Sequence, residues 1–356
     1  MEQLTKKRFI DTRSMYISDT FSMRQSLMGF AALWIYLYHV WIPILGGVPV
    51  LGQLETTLKY VGFSGVDIFF FLSGGGLVFS MSSRSVWGFY KRRLERILIP
   101  FLVAGIGFAI VRQWNVLTFL SYISGYRFYT KTIYGFLWYV PAILTLYLFF
   151  PLYYRFFSRS KRKTVFTAAV LAVWLTASIL LKNTMREDLY GFTNRIPIFL
   201  LGVLCGEKMK EKSDRLPACT PALIMGILAL GVVLSYLTNV LKVEILFPAS
   251  NACFPNILIT LGIVFLTPWL KKNVVKRELP VLSKFLRFFG AMSLEFYCLQ
   301  ELLLRVYGDL FGFHNAVWDN LLLFLFISAL SYALKLLSDL LLSAIKSVGS
   351  RPRRAG

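Results

Sequence analysis

VFTAAVLAVWLTASILL, residues 165–181, runs seventeen positions without an ionisable side chain, between Lys161, Arg162 and Lys163 on one side and Lys182 on the other. LIPFLVAGIGFAIV (98–111) and LLLFLFISALSYAL (321–334) read the same way. With their neighbours, each approaches the ~20 residues a helix needs to cross the hydrocarbon of a bilayer. Lipid offers backbone N–H and C=O groups no partner, so apolar stretches of this length satisfy their own hydrogen bonds as helices. Outward from these stretches the chain keeps the same character: 356 residues, 56% hydrophobic and 16% charged, where a soluble domain carries about a quarter charged. The pattern predicts an all-α, polytopic membrane helix bundle of about ten transmembrane helices. The expected spans are 26–47, 60–82, 97–115, 135–154, 165–181, 192–206, 219–240, 252–270, 286–306 and 320–343. The sixth is short and carries Pro197, so it is expected to kink or sit deeper than a simple rod. The first 25 residues are polar and basic, without the short apolar run of a cleaved signal, so the first apolar segment is expected to stay as helix one.

The formal net charge of +21 invites a nucleic-acid reading, and its distribution argues against one. Segments 1–25, 83–96, 155–164, 207–218, 271–287 and 344–356 hold 29 of the 39 Lys and Arg residues. That bias toward one side sets orientation, with the amino and carboxyl ends both expected in the cytoplasm of a multi-pass protein of the cell membrane. A basic cytoplasmic face also attracts anionic headgroups of the lipid bilayer and a phosphorylated cofactor. The expected organisation is a cytoplasmic segment 1–25, a membrane domain 26–343 and a basic cytoplasmic tail 344–356. Cys205, Cys219, Cys253 and Cys298 are scattered without paired or metal-ligand spacing and read as small apolar fillers, so no metal site is expected.

Polar residues inside apolar spans are expensive and point to function. His39 closes SLMGFAALWIYLYH in the first span, about two-thirds across; Asp67 lies in GFSGVDIFFFLSGGG of the second; Glu295, Gln300 and Glu301 lie in MSLEFYCLQELLL of the ninth. At helical rise His39, Asp67, Gln300 and Glu301 fall at a similar depth, about 20 Å from the cytoplasmic side. A histidine and a carboxylate at one level are the parts of a general base and its orienter, or of an interhelical hydrogen bond. FYKRRLERILIP (89–100) opens the third span and places Arg93 and Arg96 on one helix face. Guanidinium forks there suit a phosphate; they equally suit a topology anchor. The glycines 74–76 and the pair Gly202 and Gly206 read as sites of close helix approach, and His314 as a solvated loop residue.

Taken together, these blocks resemble the acyltransferase-3 family of bacterial integral membrane O-acyltransferases. The resemblance rests on GVDIFFFLSG (65–74) followed at family-like spacing by FYKRRLERILIP, with LMGFAALWIYLYH (27–39), LWYVPAILTLYLFFP (137–151), RIPIFLLGVLCG (195–206) and SLEFYCLQ (293–300). It implies transfer of an acyl group, commonly acetyl from acyl-CoA, to a hydroxyl of a cell-surface or exported carbohydrate or a lipid-linked glycan. The family's first-helix histidine falls on His39, its third-helix arginines on Arg93 and Arg96, its second-helix aspartate on Asp67 and its sixth-helix arginine on Arg195. Two positions depart from the pattern. The arginine expected eleven residues before the histidine is Met28, with Arg24 one turn earlier, and the histidine that closes the ninth-helix block is Gln300. Many members also carry an extracytoplasmic hydrolase-like domain; none is visible within this chain, so transfer is expected to finish in the membrane domain or with a separate extracytoplasmic partner.

The reading that follows is an O-acetyltransferase with no permanently bound cofactor and acyl-CoA as its donor. Arg92, Arg93, Arg96 and Arg24 are the candidates for the CoA phosphates. His39 is the candidate base or acyl acceptor, with Asp67 or Glu301 as orienter. Tyr38, Ser73, Trp138, Arg195 and Gln300 are the candidates for substrate contact and for the oxyanion. The rival readings are a transporter or flippase of a lipid-linked sugar, and a non-catalytic relative acting as sensor or scaffold.

Overall fold

The computed structural model describes residues 15–82, 85–130, 137–186, 189–277 and 279–349. Parts of two expected segments, 1–14 at the amino end and 350–356 in the tail, lie outside the described residues. The chain starts with the two-residue strand β1 (Met15–Tyr16) and the short helix α1 (Ile17–Ser22), then forms α2 (Arg24–His39). Pro43 and the pair Gly46–Gly47 interrupt it, because the residue before a proline is pushed out of helical geometry. Helix resumes as α3 (Pro49–Val61), with Pro49 in the first turn where its missing N–H costs nothing. A 3-10 turn, Gly62–Ser64, leads into α4 (Gly65–Ser82). Next come α5 (Val86–Val111), capped by Ser85, then α6 (Val116–Ile123), α7 (Tyr126–Thr130) and α8 (Tyr139–Arg159). They are followed by α9 (Lys163–Leu180), α10 (Tyr190–Thr193), α11 (Ile196–Lys210) and β2 (Arg215–Leu216). The last elements are α12 (Thr220–Ser235), α13 (Phe254–Leu270), α14 (Pro280–Ala291), α15 (Ser293–Phe311) and α16 (Ala316–Gly349). Among the described residues the strands are β1 and β2 alone, paired antiparallel with Met15 opposite Leu216.

The fold is all-α, and among the described residues seven helical runs are long and apolar enough to cross a membrane. They are α4 with the turn and helix before it, α5, α8, α9, α12, α13 and α16. This is a multi-pass membrane protein. The other three expected spans fall on helices that are shorter or more polar: α2 with 16 residues, α11 with 15, and α15, which carries Glu295, Glu301, Arg305 and Asp309.

Several boundaries differ from the sequence expectation. The first span, expected to residue 47, stops at His39, so the histidine ends its helix instead of lying two-thirds along it. The outer loop expected after it contains α3, and the one before α8 contains α6 and α7. The ninth span breaks at Met292, which leaves helical geometry (φ −113°, ψ 22°), giving α14 and α15. Pro197 sits in the first turn of α11, where proline needs no kink.

The chain packs as two units, one of residues 1–31, 63–83 and 151–290, the other of 32–62, 84–150 and 291–356. In the first, α4 and α11 cross backbone against backbone. A Cβ on Gly202 would lie 2.1 Å from the Phe71 carbonyl oxygen, and one on Gly74 2.3 Å from that of Phe199. Small residues are what permit this approach in a membrane bundle, where packing rather than water exclusion holds helices together. Gly29 of α2 and Gly290 of α14 meet as closely, with added Cβ atoms 1.8 Å from the Leu286 oxygen and 1.9 Å from the Gln25 oxygen. In the second unit α5, α15 and α16 pack together, and the Tyr36 ring sits 5.6 Å from Phe296 and 5.7 Å from Phe324.

Candidate active site

His39, the last residue of α2, is held by the chain that turns back after it. The Ile42 N–H donates to Asn320 Oδ1 at 2.9 Å, and Asn320 Nδ2 donates to the Ile42 carbonyl at 2.7 Å. Asn320 is 3% exposed at the start of α16, so this two-point clasp is shielded from competing water. Glu55 of α3 accepts from Trp41 Nε1 at 2.7 Å and from the Ile44 and Leu45 N–H groups at 2.9 and 2.7 Å. Lys59, a turn later, donates to the Trp41 carbonyl at 2.7 Å. These bonds satisfy backbone groups of the turn that follows the helix, which have no ladder to pair with. They also fix where the imidazole leaves the backbone.

Facing the imidazole is α15. Gln300, with no exposed surface, places its amide Nε2 2.8 Å from His39 Nδ1. The next residue, Glu301, brings Oε1 to 3.9 Å from His39 Nε2. The ring thus has an amide at one nitrogen and a carboxylate at the other. An amide offers either its N–H or its carbonyl, and that choice sets the imidazole tautomer. With the carbonyl turned to Nδ1–H, Nε2 keeps its lone pair for a proton. The imidazolium formed on taking that proton finds an acceptor at each N–H, the Gln300 carbonyl and the Glu301 carboxylate. Tyr38 meets the imidazole edge-on, with ring centroids 4.9 Å apart. The charge of Lys59 acts on His39, and those of Arg112 and Arg305 act on Glu301.

The same unit holds the arginine motif. Arg93 is half-buried, its guanidinium 5.9 Å from the Phe89 ring centroid and 5.6 Å from that of Tyr147, while Arg92 and Arg96 are exposed. Both distances fall within the range of a cation–π contact, so two aromatic faces hold the Arg93 charge in place. Glu295 of α15 is buried, and the charges of Lys335 and then Arg96 act on it. Trp138 is buried ahead of α8, where the next residue, Tyr139, meets Tyr297 edge-on at 5.4 Å.

The remaining candidates belong to the other unit. Asp67, in the first turn of α4, and Arg195, at the N-cap of α11, are both fully buried, with Asp67 Oδ2 3.5 Å from Arg195 Nη2. Arg195 also donates to the Ala252 carbonyl at 3.0 Å, and its guanidinium lies 4.3 Å from the Phe63 ring centroid. Asp67 therefore has Arg195 as its charge partner, and the carboxylate beside the imidazole is Glu301. Ser73 is buried on α4. Arg24 opens α2, and its guanidinium runs beside Gly76, where an added Cβ would sit 3.4 Å from Nη1. Asn320, Glu55 and Lys59 escaped the reading of the sequence. A polar Asn at the threshold of the last apolar span is the one signal that pointed to any of them.

A histidine at a helix end, with an amide at one ring nitrogen and a carboxylate near the other, has the parts of a general base and its orienter. Residues 27–339 match the model of the acyltransferase-3 family, described as an acyltransferase domain. The chain belongs to that family and is a membrane acyltransferase. Comparison with curated proteins and with solved structures gives no match.

Proposed function

We propose that the protein is an O-acyltransferase of the cell membrane, taking an acetyl group from acetyl-CoA at the cytoplasmic face and passing it to a hydroxyl of an exported or cell-surface carbohydrate. The observation that carries this reading is the placement of Gln300 and Glu301 at the two nitrogens of His39. Arg93 and Arg96 near the start of α5 serve as grips for the CoA phosphates, through charge-assisted bonds. Arg96 and Arg112, the residue that caps α5, are about 24 Å apart at helical rise, and Arg112 is one of the two arginines whose charge acts on Glu301. A long, thin donor held at its phosphates spans that separation with its thioester at the histidine.

In the step itself, the acceptor oxygen attacks the thioester carbonyl carbon as His39 Nε2 removes its proton. The tetrahedral oxyanion then collapses, the C–S bond breaks, and the proton passes from the imidazolium to the departing sulfur. Ester and free CoA thiol leave, and the histidine returns neutral. Glu301 stabilises the imidazolium and Gln300 orients the ring. Arg24, which opens α2, is the candidate to stand in for the arginine the family carries at the position of Met28. The test is transfer of labelled acetyl from acetyl-CoA to membrane glycans in vesicles, comparing wild type with His39→Ala. Loss of transfer in the variant is expected, and undiminished transfer refutes the assignment.

A further inference from the structure

At the amino end of α9, within the first unit, a cavity of about 360 Å³ is lined by Lys161, Arg162, Lys163, Lys208 and Ser213, with Glu207 and Glu211 on one wall. The two carboxylates are already neutralised. Lys163 Nζ lies 2.6 Å from Glu211 and 3.6 Å from Glu207, and Glu207 also accepts from the Tyr154 hydroxyl at 2.9 Å. Lys210 completes the cluster, donating to that hydroxyl at 2.9 Å and lying 4.0 Å from Glu207. Lys161, Arg162 and Lys208 have no carboxylate within ion-pair distance among the described residues, so their charge is available to a ligand in the cavity.

Val165 ties the cavity to the membrane. It lines the cavity and is itself 59% exposed. From it a stripe of uncovered residues climbs one face of α9 through Ala169, Val173, Thr176 and Leu180, at helical spacing. Val173 and Leu180 are 70% and 76% exposed, and the apolar stretch of α9 is 11% buried, the least of the seven runs. A cationic cavity that opens onto a lipid-facing apolar stripe matches an amphiphile with an anionic head.

We propose that this cavity binds the phosphate of an anionic phospholipid, with the acyl chains laid along the exposed face of α9. Charge complementarity selects the head, and the continuity of Val165 with the stripe selects a lipid over a soluble anion. The site is separate from the His39 constellation and independent of its proposed chemistry.

The test uses the purified full chain in detergent, titrated with short-chain phosphatidylglycerol or phosphatidylcholine while its melting temperature is followed. Phosphatidylglycerol is expected to stabilise at concentrations at least tenfold below those of phosphatidylcholine. Lys161→Gln/Arg162→Gln/Lys208→Gln should abolish that preference, because it removes the basic side chains that attract an anionic headgroup. Lys276→Gln/Arg277→Gln/Lys284→Gln, which removes the same charge elsewhere, should retain it. Equal loss in both triple variants would reduce the effect to overall surface charge and overturn the site. Inorganic phosphate matching phosphatidylglycerol at equal concentration would overturn the lipid assignment. Should the first triple variant fail to fold, Lys208→Gln alone must lower the preference severalfold, and an unchanged preference overturns the proposal.

Discussion

Replacing Gln300 by leucine keeps most of the side-chain volume and removes a single contact, the 2.8 Å bond to His39 Nδ1. Gln300 has no exposed surface, so no water can take its place, and a ring nitrogen is left without a partner. A buried polar group left in that state costs about 1–3 kcal/mol, and a bond to a group that becomes charged sits in the upper part of that range. In the proposed step the imidazole is neutral before proton removal and cationic at the transition state, so the lost bond weighs on the barrier more than on binding. At 1.36 kcal/mol per factor of ten, kcat should fall roughly ten- to a hundredfold. The KM for acetyl-CoA should change little. Steady-state acetyl transfer by the purified enzyme, wild type against Gln300→Leu, separates the two constants. Gln300→His, which restores a ring donor and acceptor at the position the family usually fills with histidine, should recover part of kcat. A loss confined to KM, or none at all, would show that Gln300 merely packs against the ring.

Arg93→Ala and Arg96→Ala should each raise the KM for acetyl-CoA roughly tenfold through loss of a charge-assisted contact, with Arg93→Lys recovering only part because the two-pronged guanidinium fork is lost; an unchanged KM in the double variant reduces the motif to an anchor. Asp67→Asn leaves the Arg195 guanidinium without its anion in a fully buried setting, a loss of about 3–5 kcal/mol, read as a lower melting temperature in detergent; an unshifted melt refutes a structural ion pair. Gly202→Leu forces side-chain atoms into the Phe71 backbone and should abolish accumulation of folded protein by size-exclusion chromatography, where a normal monodisperse peak would contradict the crossing. With both ends expected in the cytoplasm, a cysteine at position 314 in a cysteine-free background should label from outside and one at 346 only after permeabilisation; labelling of both from the same side overturns the orientation.

How far the sequence could be read depends on the range of the interaction. Hydropathy is local, and the helices α5, α9 and α16 stand out from composition alone. The helices α2, α11 and α15 are less apolar or shorter because they carry or adjoin the polar residues, so the weakest span signals coincide with the candidate chemistry. Depth reckoning from helical rise put His39, Gln300 and Glu301 at one level, and the three are neighbours. The same reckoning included Asp67, whose partner Arg195 lies 128 positions along the chain; rise along a helix gives height and says nothing about which way a side chain faces. The end of α2 at His39 was hidden because Pro43 acts on the residues before it only through the turn it imposes. The clasp by Asn320 joins residues nearly 280 positions apart, and no local pattern announces such a pairing.

The imidazole of His39 has one sealed nitrogen and one open one. Nδ1 lies against a wholly buried amide, whereas Nε2 looks toward Glu301, whose side chain is 43% exposed. Regiochemistry follows from that asymmetry. Any electrophile arriving at the ring, whether an acyl group or an alkylating probe, has one atom to attack, and the adduct it leaves would be the Nε2 isomer. Glu301 stands at that same nitrogen, so in the proposed step the side chain that steadies the cation would also be the first to feel the size and charge of what comes in.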